Sequence, residues 1–357
     1  VDASTTRRSN RGLVLAALLA GPPVSRQELI RRTGLSQATV FRIVDALREE
    51  RICVDVATIA KSGRGRNAAS VGVNPLLTRV CGVDLGGTNC RILVADPLGV
   101  PLAVRTRATP TDHDARRLGG WLADQIAATL ADAGTEPVPL SAVAVGLPGV
   151  VGAGHTVLTS QNLPQIIGTE FTDTLAERLG EPDTDVVFGN DSNLALLGEM
   201  RYGAAYGLRT AVMLTLGTGI GAGVAVDGRL VTGRTGVVGE FGRLPLPESG
   251  TRLLRLLSGA GLVAEARGRG IAVDTPEQVF GADDPACVGL VEEVHRAAQH
   301  LAGIVALAYE PELILLAGRF AEVFTPNILD TMNHALATGV SVPTTIRRSE
   351  LADLVGT

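Results

Sequence analysis

Two short glycine turns in this chain have the residue types to face an anion. Asp84, Gly86, Gly87 and Thr88 fall within Val83-Asp84-Leu85-Gly86-Gly87-Thr88-Asn89, between an apolar approach (Val80, Val83) and a β-rich exit (Arg91-Ile92-Leu93-Val94). The pattern reads as strand, tight turn, strand. Two glycines and a threonine leave backbone N–H groups and one hydroxyl free for an anion, and Asp84 at the mouth could hold a divalent cation. Further on, Gly217-Thr218-Gly219-Ile220-Gly221 joins a strand over 212–216 to a return strand over 222–226. Either turn alone is compatible with an ordinary hairpin. Together, one in each half of the body, they could grip a polyphosphate from both sides. Between them, Gly189-Asn190-Asp191-Ser192-Asn193 connects a strand over 185–188 to a helix over 194–202. A carboxylate at a strand end beside a helix start is a common place for a catalytic base; the plain alternative is that Asp191 or Ser192 caps the helix. Ala317-Gly318-Arg319 is a third glycine turn, after a buried strand over 313–316.

The elements that must hold these turns alternate between strand and helix. An amphipathic helix over 121–133 (Trp121, Leu122, Ile126, Leu130) precedes an apolar strand over 141–147, which ends in Gly146-Leu147-Pro148-Gly149. A helix over 169–179 follows, and long helices are expected at 252–267 and 286–308. The alternation is that of an α/β protein.

Composition narrows the class further. With 357 residues, 45% hydrophobic and 19% charged, the chain can bury two or three globular domains and is not disordered. No run approaches the roughly 18 unbroken apolar residues of a membrane span. Cys53, Cys81, Cys90 and Cys287 are scattered and form no CxxC pair, which points to a reducing, cytoplasmic setting and away from a disulfide framework. Residues 1–70 hold 12 of the 32 Lys/Arg and 6 of the 37 Asp/Glu, so a head of +6 precedes a body of −11. A basic head on an acidic body suits contact with nucleic acid through the head.

The head carries a motif that agrees with its charge. An apolar helical run over 11–20 stops at Gly21-Pro22-Pro23. Ser25 followed by Glu28 reads as a capping box opening a helix over 26–33. Gly34 supplies a turn, and Ser36 caps a third helix reaching about Glu50. On it Val40, Ile43, Val44 and Leu47 fall at i, i+3, i+4 and i+7, one buried face. Gln37, Ala38, Phe41 and Arg42 lie away from that face, where Gln and Arg can pair with adenine and guanine edges in a major groove. Ser36, Thr39 and the helix start suit phosphates, and Arg26 is a further DNA-binding candidate. Beyond a strand over 52–57, Lys61-Ser62-Gly63-Arg64-Gly65-Arg66 reads as a wing whose Arg64 and Arg66 can enter a minor groove.

Taken together these residues resemble the ROK family (repressors, open reading frames and kinases), from about Asn10 to the last residues. The head resembles the family's operon repressors in "SRQELIRRTGLSQATVFRIVDALREE" and "GRGR"; the body is similar in "VDLGGTN", "GLPG", "NLP", "NDSN", "LGTGIGAG" and "LAGR". The resemblance implies an N-terminal winged helix-turn-helix over 1–73 and a two-lobed sugar-kinase/actin-like ATPase (ribonuclease H-like) body. Its first lobe would span 74–190, with 335–357 returning to it. Its second, oligomerising lobe would span 191–334.

By the same resemblance Asp191 would be the base of a sugar kinase, deprotonating a hydroxyl that attacks ATP. Asn162, Asn190, Asp191 and Glu240 would hold sugar hydroxyls. Asp84, Gly86, Gly87, Thr88, Gly217, Thr218, Gly219 and Gly318 would face the nucleotide. Three departures weigh against a working kinase. Arg243 stands where the family has a zinc-binding, sugar-touching histidine; 248–257 lacks the family's cysteines; and Leu254 replaces a sugar-binding glutamate. Zinc is therefore not expected. Arg243, with Arg252, suits an anionic effector, a phosphosugar or sugar acid. Alternatively it pairs with Glu240 or Glu248 as a staple. The function implied is a DNA-binding transcriptional regulator, a repressor of sugar-metabolism genes. It would act on a double-stranded operator as a homodimer or homotetramer and answer to a sugar-like effector. The alternative is an ATP-dependent sugar kinase, and ATP and magnesium belong only to that.

Overall fold

The computed structural model describes residues 3–56, 70–180, 184–247 and 249–351, with side chains from Ser9 onward. The head is built from α1 (Ala3–Leu19), β1 (Val24–Ser25), α2 (Arg26–Thr33), α3 (Gln37–Glu49), β2 (Cys53–Val56) and β3 (Ser70–Val73), with β3 lying between β1 and β2. The face expected on the third helix is the buried one: Val40, Ile43, Val44 and Leu47 join Val14, Leu18, Leu29 and Val71 in a single core. Gly34, at φ 68°, closes α2 by donating to the Ile30 carbonyl, a left-handed conformation natural to glycine. Only half of the expected capping box forms. Ser25 accepts from the Glu28 N–H, but the Glu28 carboxylate turns to Arg31 and Arg32 at 2.6–2.7 Å. Two guanidiniums on the next turn outbid one backbone N–H. The first helix starts well before residue 11, at Ala3. Arg64 and Arg66 lie outside the described residues.

The first lobe follows: β4 (Arg79–Leu85), β5 (Asn89–Ala95), β6 (Pro101–Ala108), α4 (Ala115–Asp132), β7 (Leu140–Leu147), the small hairpin β8 (Val150–Val151) and β9 (Val157–Thr159), α5 (Glu170–Leu179) and β10 (Asp185–Asn190). Its sheet runs β6-β5-β4-β7-β10, antiparallel along the hairpins and parallel from β4 to β7 to β10. Then α6 (Asp191–Tyr202) crosses to the second lobe. That lobe contains β11 (Ala211–Leu216), β12 (Ile220–Val226), β13 (Arg229–Leu230), α7 (Leu253–Leu256), α8 (Gly259–Gly268), α9 (Pro276–Phe280), α10 (Pro285–Tyr309), β14 (Leu313–Ala317), α11 (Pro326–Ala335) and β15 (Thr345–Arg348). Its sheet, β13-β12-β11-β14-β15, repeats the arrangement of the first, so each lobe presents one glycine hairpin to the space between them.

Three expectations are corrected. As far as it is described, the segment 335–351 does not return to the first lobe: β15 pairs in parallel with β14, and Ile346 is 2% exposed in the second core. Burial of one β-branched side chain on an apolar sheet decides its place. The helix expected over 252–267 is broken between α7 and α8. There the Ser258 hydroxyl donates to the Leu254 carbonyl and accepts from the Gly261 N–H, ending one helix and capping the next. The helix expected from Trp121 starts a turn and a half earlier, where Asp114 accepts from the Arg117 N–H.

Candidate ligand cleft and nucleic-acid interface

A polar cleft of about 200 Å³ opens between the lobes. It is lined by Asn162, Asn190 and Asp191 from the first lobe and the start of α6, and by Gly217, Thr218, Gly219, Glu240 and Arg243 from the second. The chain delivers Asp191 at a strand end because β10 pairs in parallel with β7 as far as Asn190, and the next residues turn into α6. The helix cap is Asn190, not Asp191 or Ser192: its Oδ1 accepts from the Asn193 N–H at 3.1 Å. Its Nδ2 donates to the Gly149 carbonyl and to Asp191 Oδ1, both at 3.0 Å. Both polar atoms of Asn190 are thus already engaged. Asp191 Oδ1 accepts further from the Ser192 N–H at 2.7 Å and the Ser192 hydroxyl at 3.2 Å.

Burial pushes the Asp191 carboxyl up to about 6, against the lowering effect of the Ser192 and Asn190 hydrogen bonds; the negative Glu240 adds to the rise. Burial likewise pushes Asp84 up to about 7, helped by the charge of Asp191 and opposed by Arg91. A carboxyl poised near neutrality and facing a polar cleft can take or release a proton from a bound hydroxyl.

Glu240 is aimed by the backbone before it. Gly239 has φ 96°, and a Cβ there would stand 2.2 Å from the Ala222 carbonyl, so only glycine lets this loop cross β12 so closely. Arg243 Nε donates to Glu240 Oε2 at 3.2 Å, the staple arrangement foreseen as one of its two roles. The pocket's polar side chains from this loop are a carboxylate and a guanidinium, and Leu254 adds an apolar wall. Such a set is not a zinc site, which wants four thiolate or imidazole-type donors. No group of three or more His, Cys, Asp or Glu that could hold a metal occurs among the described residues.

The two hairpin turns differ in what they leave free. Gly217 N–H donates to the Gly219 carbonyl at 3.0 Å, so the second turn is just 217–219 and Gly221 already lies in β12. Gly217 and Gly219 face open space in the cleft. The first turn is more crowded. The Gly86 carbonyl accepts from the Thr109 hydroxyl at 2.7 Å, the Thr88 carbonyl from the Thr109 N–H at 2.9 Å, and Gly87 lies against Asn162. Gly86, Gly87 and Thr88 stand outside the 200 Å³ cleft. Asp84 and Gly318 line a neighbouring interlobe cleft with Asn89, Arg91 and Arg348. Asn162 Nδ2 approaches Thr218 Oγ1 at 3.5 Å, so the two lobes meet across the cleft mouth. Sequence reasoning passed over Gln161 and Thr215, which line the cleft. Gln161 precedes the "NLP" run and Thr215 lies two residues before the second glycine turn, so proximity to those motifs was the available signal.

On the head, Gln37, Ala38 and Arg42 are exposed along one side of α3. Phe41 is half-buried, with the Arg26 guanidinium 4.8 Å above its ring, and Arg26 also pairs with Asp45 at 2.8 Å. Ser36 caps α3 through the Thr39 N–H at 3.3 Å and bonds the Thr39 hydroxyl at 2.8 Å. Three of the expected DNA-facing side chains are therefore open, while Arg26, Ser36, Thr39 and Phe41 also hold the head together.

These features define a helix-turn-helix head on a two-lobed sugar-kinase-like body, and the chain belongs to the ROK family: that family's model matches residues 80–354. A model described as winged helix-turn-helix DNA-binding matches residues 7–52. Among individual proteins, the chain is 27% identical over 237 residues to the xylose repressor of Caldicellulosiruptor bescii, covering 66% of this chain and 58% of the relative. It is 35% identical over 173 residues to the glucokinase of Thermotoga maritima, covering 48% and 52%. The chain thus spans a little over half the length of these curated relatives. A solved ROK family transcriptional regulator superposes with a TM-score of 0.78 at 19% identity, over 98% of this chain and 94% of that one, a likeness of fold. No helix among the described residues is long and apolar enough to cross a membrane.

Proposed function

We propose that the protein is a DNA-binding transcriptional regulator, a repressor of sugar-metabolism genes whose ROK body senses a hydroxyl-rich ligand. The observation that carries the reading is the union in one chain of an open recognition helix (Gln37, Ala38, Arg42) with a polar interlobe cleft containing Asp191 and Glu240. Carboxylates in such a cleft accept from paired sugar hydroxyls. The xylose repressor named above supports the same reading. As a homodimer or homotetramer the protein would place two recognition helices about one helical turn, or a multiple, apart on a near-palindromic operator. Ligand binding would favour a lobe arrangement that misplaces the heads. The test is fluorescence anisotropy on DNA from upstream of the gene, over a salt series. Affinity should fall steeply as salt rises, and D-xylose or D-glucose should lower it. Absence of binding at low salt refutes the reading.

A second reading is an ATP-dependent sugar kinase, favoured by the poise of Asp191 near neutrality and by the glucokinase likeness. ATP and magnesium belong to it alone, with Gly217, Thr218 and Gly219 towards the phosphates and Asp84 towards the cation. ADP formation with a sugar panel above the sugar-free rate would establish it.

A further inference from the structure

The head is held by both lobes, and we infer that α6 couples the ligand cleft to the head through Arg201. The inference rests on the regulator reading and names its relay. At one end of α6, Asp191 and Ser192 line the cleft. At the other, Arg201 Nη2 donates to the Leu19 carbonyl at 2.8 Å. Leu19 is the last residue of α1, where carbonyls lack partners within their own helix. A side chain of the body thus caps a helix of the head.

The two ends of this link belong to different lobes. The head's core takes in Leu77 and Leu98, which flank or connect the first-lobe strands β4, β5 and β6. The far part of α6 is tied instead to the end of β15 in the second lobe. Glu199, fully buried, accepts from the Ser349 hydroxyl and from the Glu350 and Leu351 N–H groups at 2.9 and 3.0 Å. Its other oxygen accepts from the Ala204 N–H at 2.7 Å. Tyr202, next to Arg201, lies against Gly99 in the same turn that carries Leu98. Head, first lobe and second lobe thus meet at this end of α6, and a movement of one lobe against the other loads the Arg201 contact with the end of α1.

The cleft end of α6 is equally confined. β12 presses on it so closely that a Cβ on Gly221 would stand 2.1 Å from Ser192 Oγ, and one on Gly223 would stand 2.4 Å from the Ser192 carbonyl. The helix cannot shift at this end without β12 and the second glycine hairpin shifting with it. Twelve helical residues span about 18 Å, so a tilt of about ten degrees at the cleft moves the far end by about 3 Å. That is enough to break a hydrogen bond. Glu199 and Arg201 are positioning residues, and neither touches ligand or DNA in this scheme.

Amide hydrogen exchange on the full chain, free of ligand and DNA, tests the relay. Arg201→Met should speed exchange of the amides of Ala16 to Ala20 about fivefold and leave Ser192 to Leu196 unchanged. Gly221→Ala should speed exchange at both segments. In the double variant Ala16 to Ala20 should exchange no faster than with Arg201→Met alone. Ser192→Ala, which removes the hydroxyl from Asp191 without adding bulk, reads the same two segments where Gly221→Ala fails to fold. A change confined to Ser192–Leu196 in either cleft-end variant overturns the relay, as do effects at Ala16 to Ala20 that multiply in the double variant. Because no operator or sugar enters the measurement, its failure removes the relay and leaves the regulator reading to its own test.

Discussion

Replacing Glu199 with alanine should be among the most destabilising single changes in the body. The carboxylate is fully buried and accepts four hydrogen bonds, from Ser349, Ala204, Glu350 and Leu351. Truncation leaves one hydroxyl and three amides without an acceptor, at about 1 kcal/mol apiece, or about 4 kcal/mol in all. Glutamine keeps the shape. Its oxygen can still serve the three donors at the β15 end, while its amide group meets the Ala204 N–H donor to donor. That loses one bond and adds one repulsion, about 2 kcal/mol. Urea titration followed by far-ultraviolet circular dichroism reads both variants through the midpoint of the body's transition. The expected order is wild type, then Glu199→Gln, then Glu199→Ala. A Glu199→Ala loss below about 1 kcal/mol, or equal losses for the two variants, would refute the view that the carboxylate fixes α6 to the second lobe.

Three further outcomes follow from the geometry. Asp191→Asn should stabilise the protein at neutral pH but not in acid: the native carboxyl sits near 6 and the free one near 3.8, so both states are protonated below about pH 3 and ionised above about pH 7. The native state bears the cost of burying charge only as pH rises through that window, on the order of 3 kcal/mol, and thermal melts across pH 3–8 should show the two proteins diverging there. Gln37→Ala or Arg42→Ala should weaken operator binding by about 1–3 kcal/mol each and relax base preference without moving the melting temperature, since both side chains are exposed. Ser36→Ala should lower the melting temperature, removing the cap of α3 for about 1 kcal/mol of head stability, measurable by circular dichroism.

What the sequence disclosed follows the reach of its signals. The α3 face of Val40, Ile43, Val44 and Leu47 and both glycine hairpins are local patterns, and local patterns carry period and turn chemistry. The Ser25–Glu28 pair was half right because the rival partners, Arg31 and Arg32, sit on the same short helix and outweigh a backbone N–H. The destination of β15 was not legible: four residues, Thr345–Arg348, carry no address until β14 is there to pair with. Glu199 and Arg201 were invisible for the same reason. On a helix they read as ordinary charged positions, and their partners lie 150 and 182 residues away in sequence. In the cleft, residue type and position pointed to Asp191 and the family resemblance to Glu240, whereas the double engagement of the Asn190 amide needed the position of Gly149.

Arg243 decides what kind of ligand the cleft prefers, and its two possible roles make opposite predictions. As an anion hook it would favour a phosphosugar or sugar acid over the neutral sugar. As a staple it would spend its charge on Glu240, as the 3.2 Å contact has it. That bond is half-exposed, with 52% of the Arg243 side chain open to solvent, and such pairs hold by no more than about 1 kcal/mol. Breaking it for a phosphate is therefore cheap, but what is released is Glu240, a second carboxylate facing the ligand beside Asp191. An anion entering this cleft meets two carboxylates for one guanidinium, and each like-charge contact at close range costs more than a loose guanidinium returns. D-Glucose should accordingly raise the melting temperature more than glucose 6-phosphate at equal concentration. Arg243→Gln should weaken the glucose shift by loosening Glu240, without reversing the order. A larger shift with the phosphate, abolished in Arg243→Gln, would show the hook to be the true role.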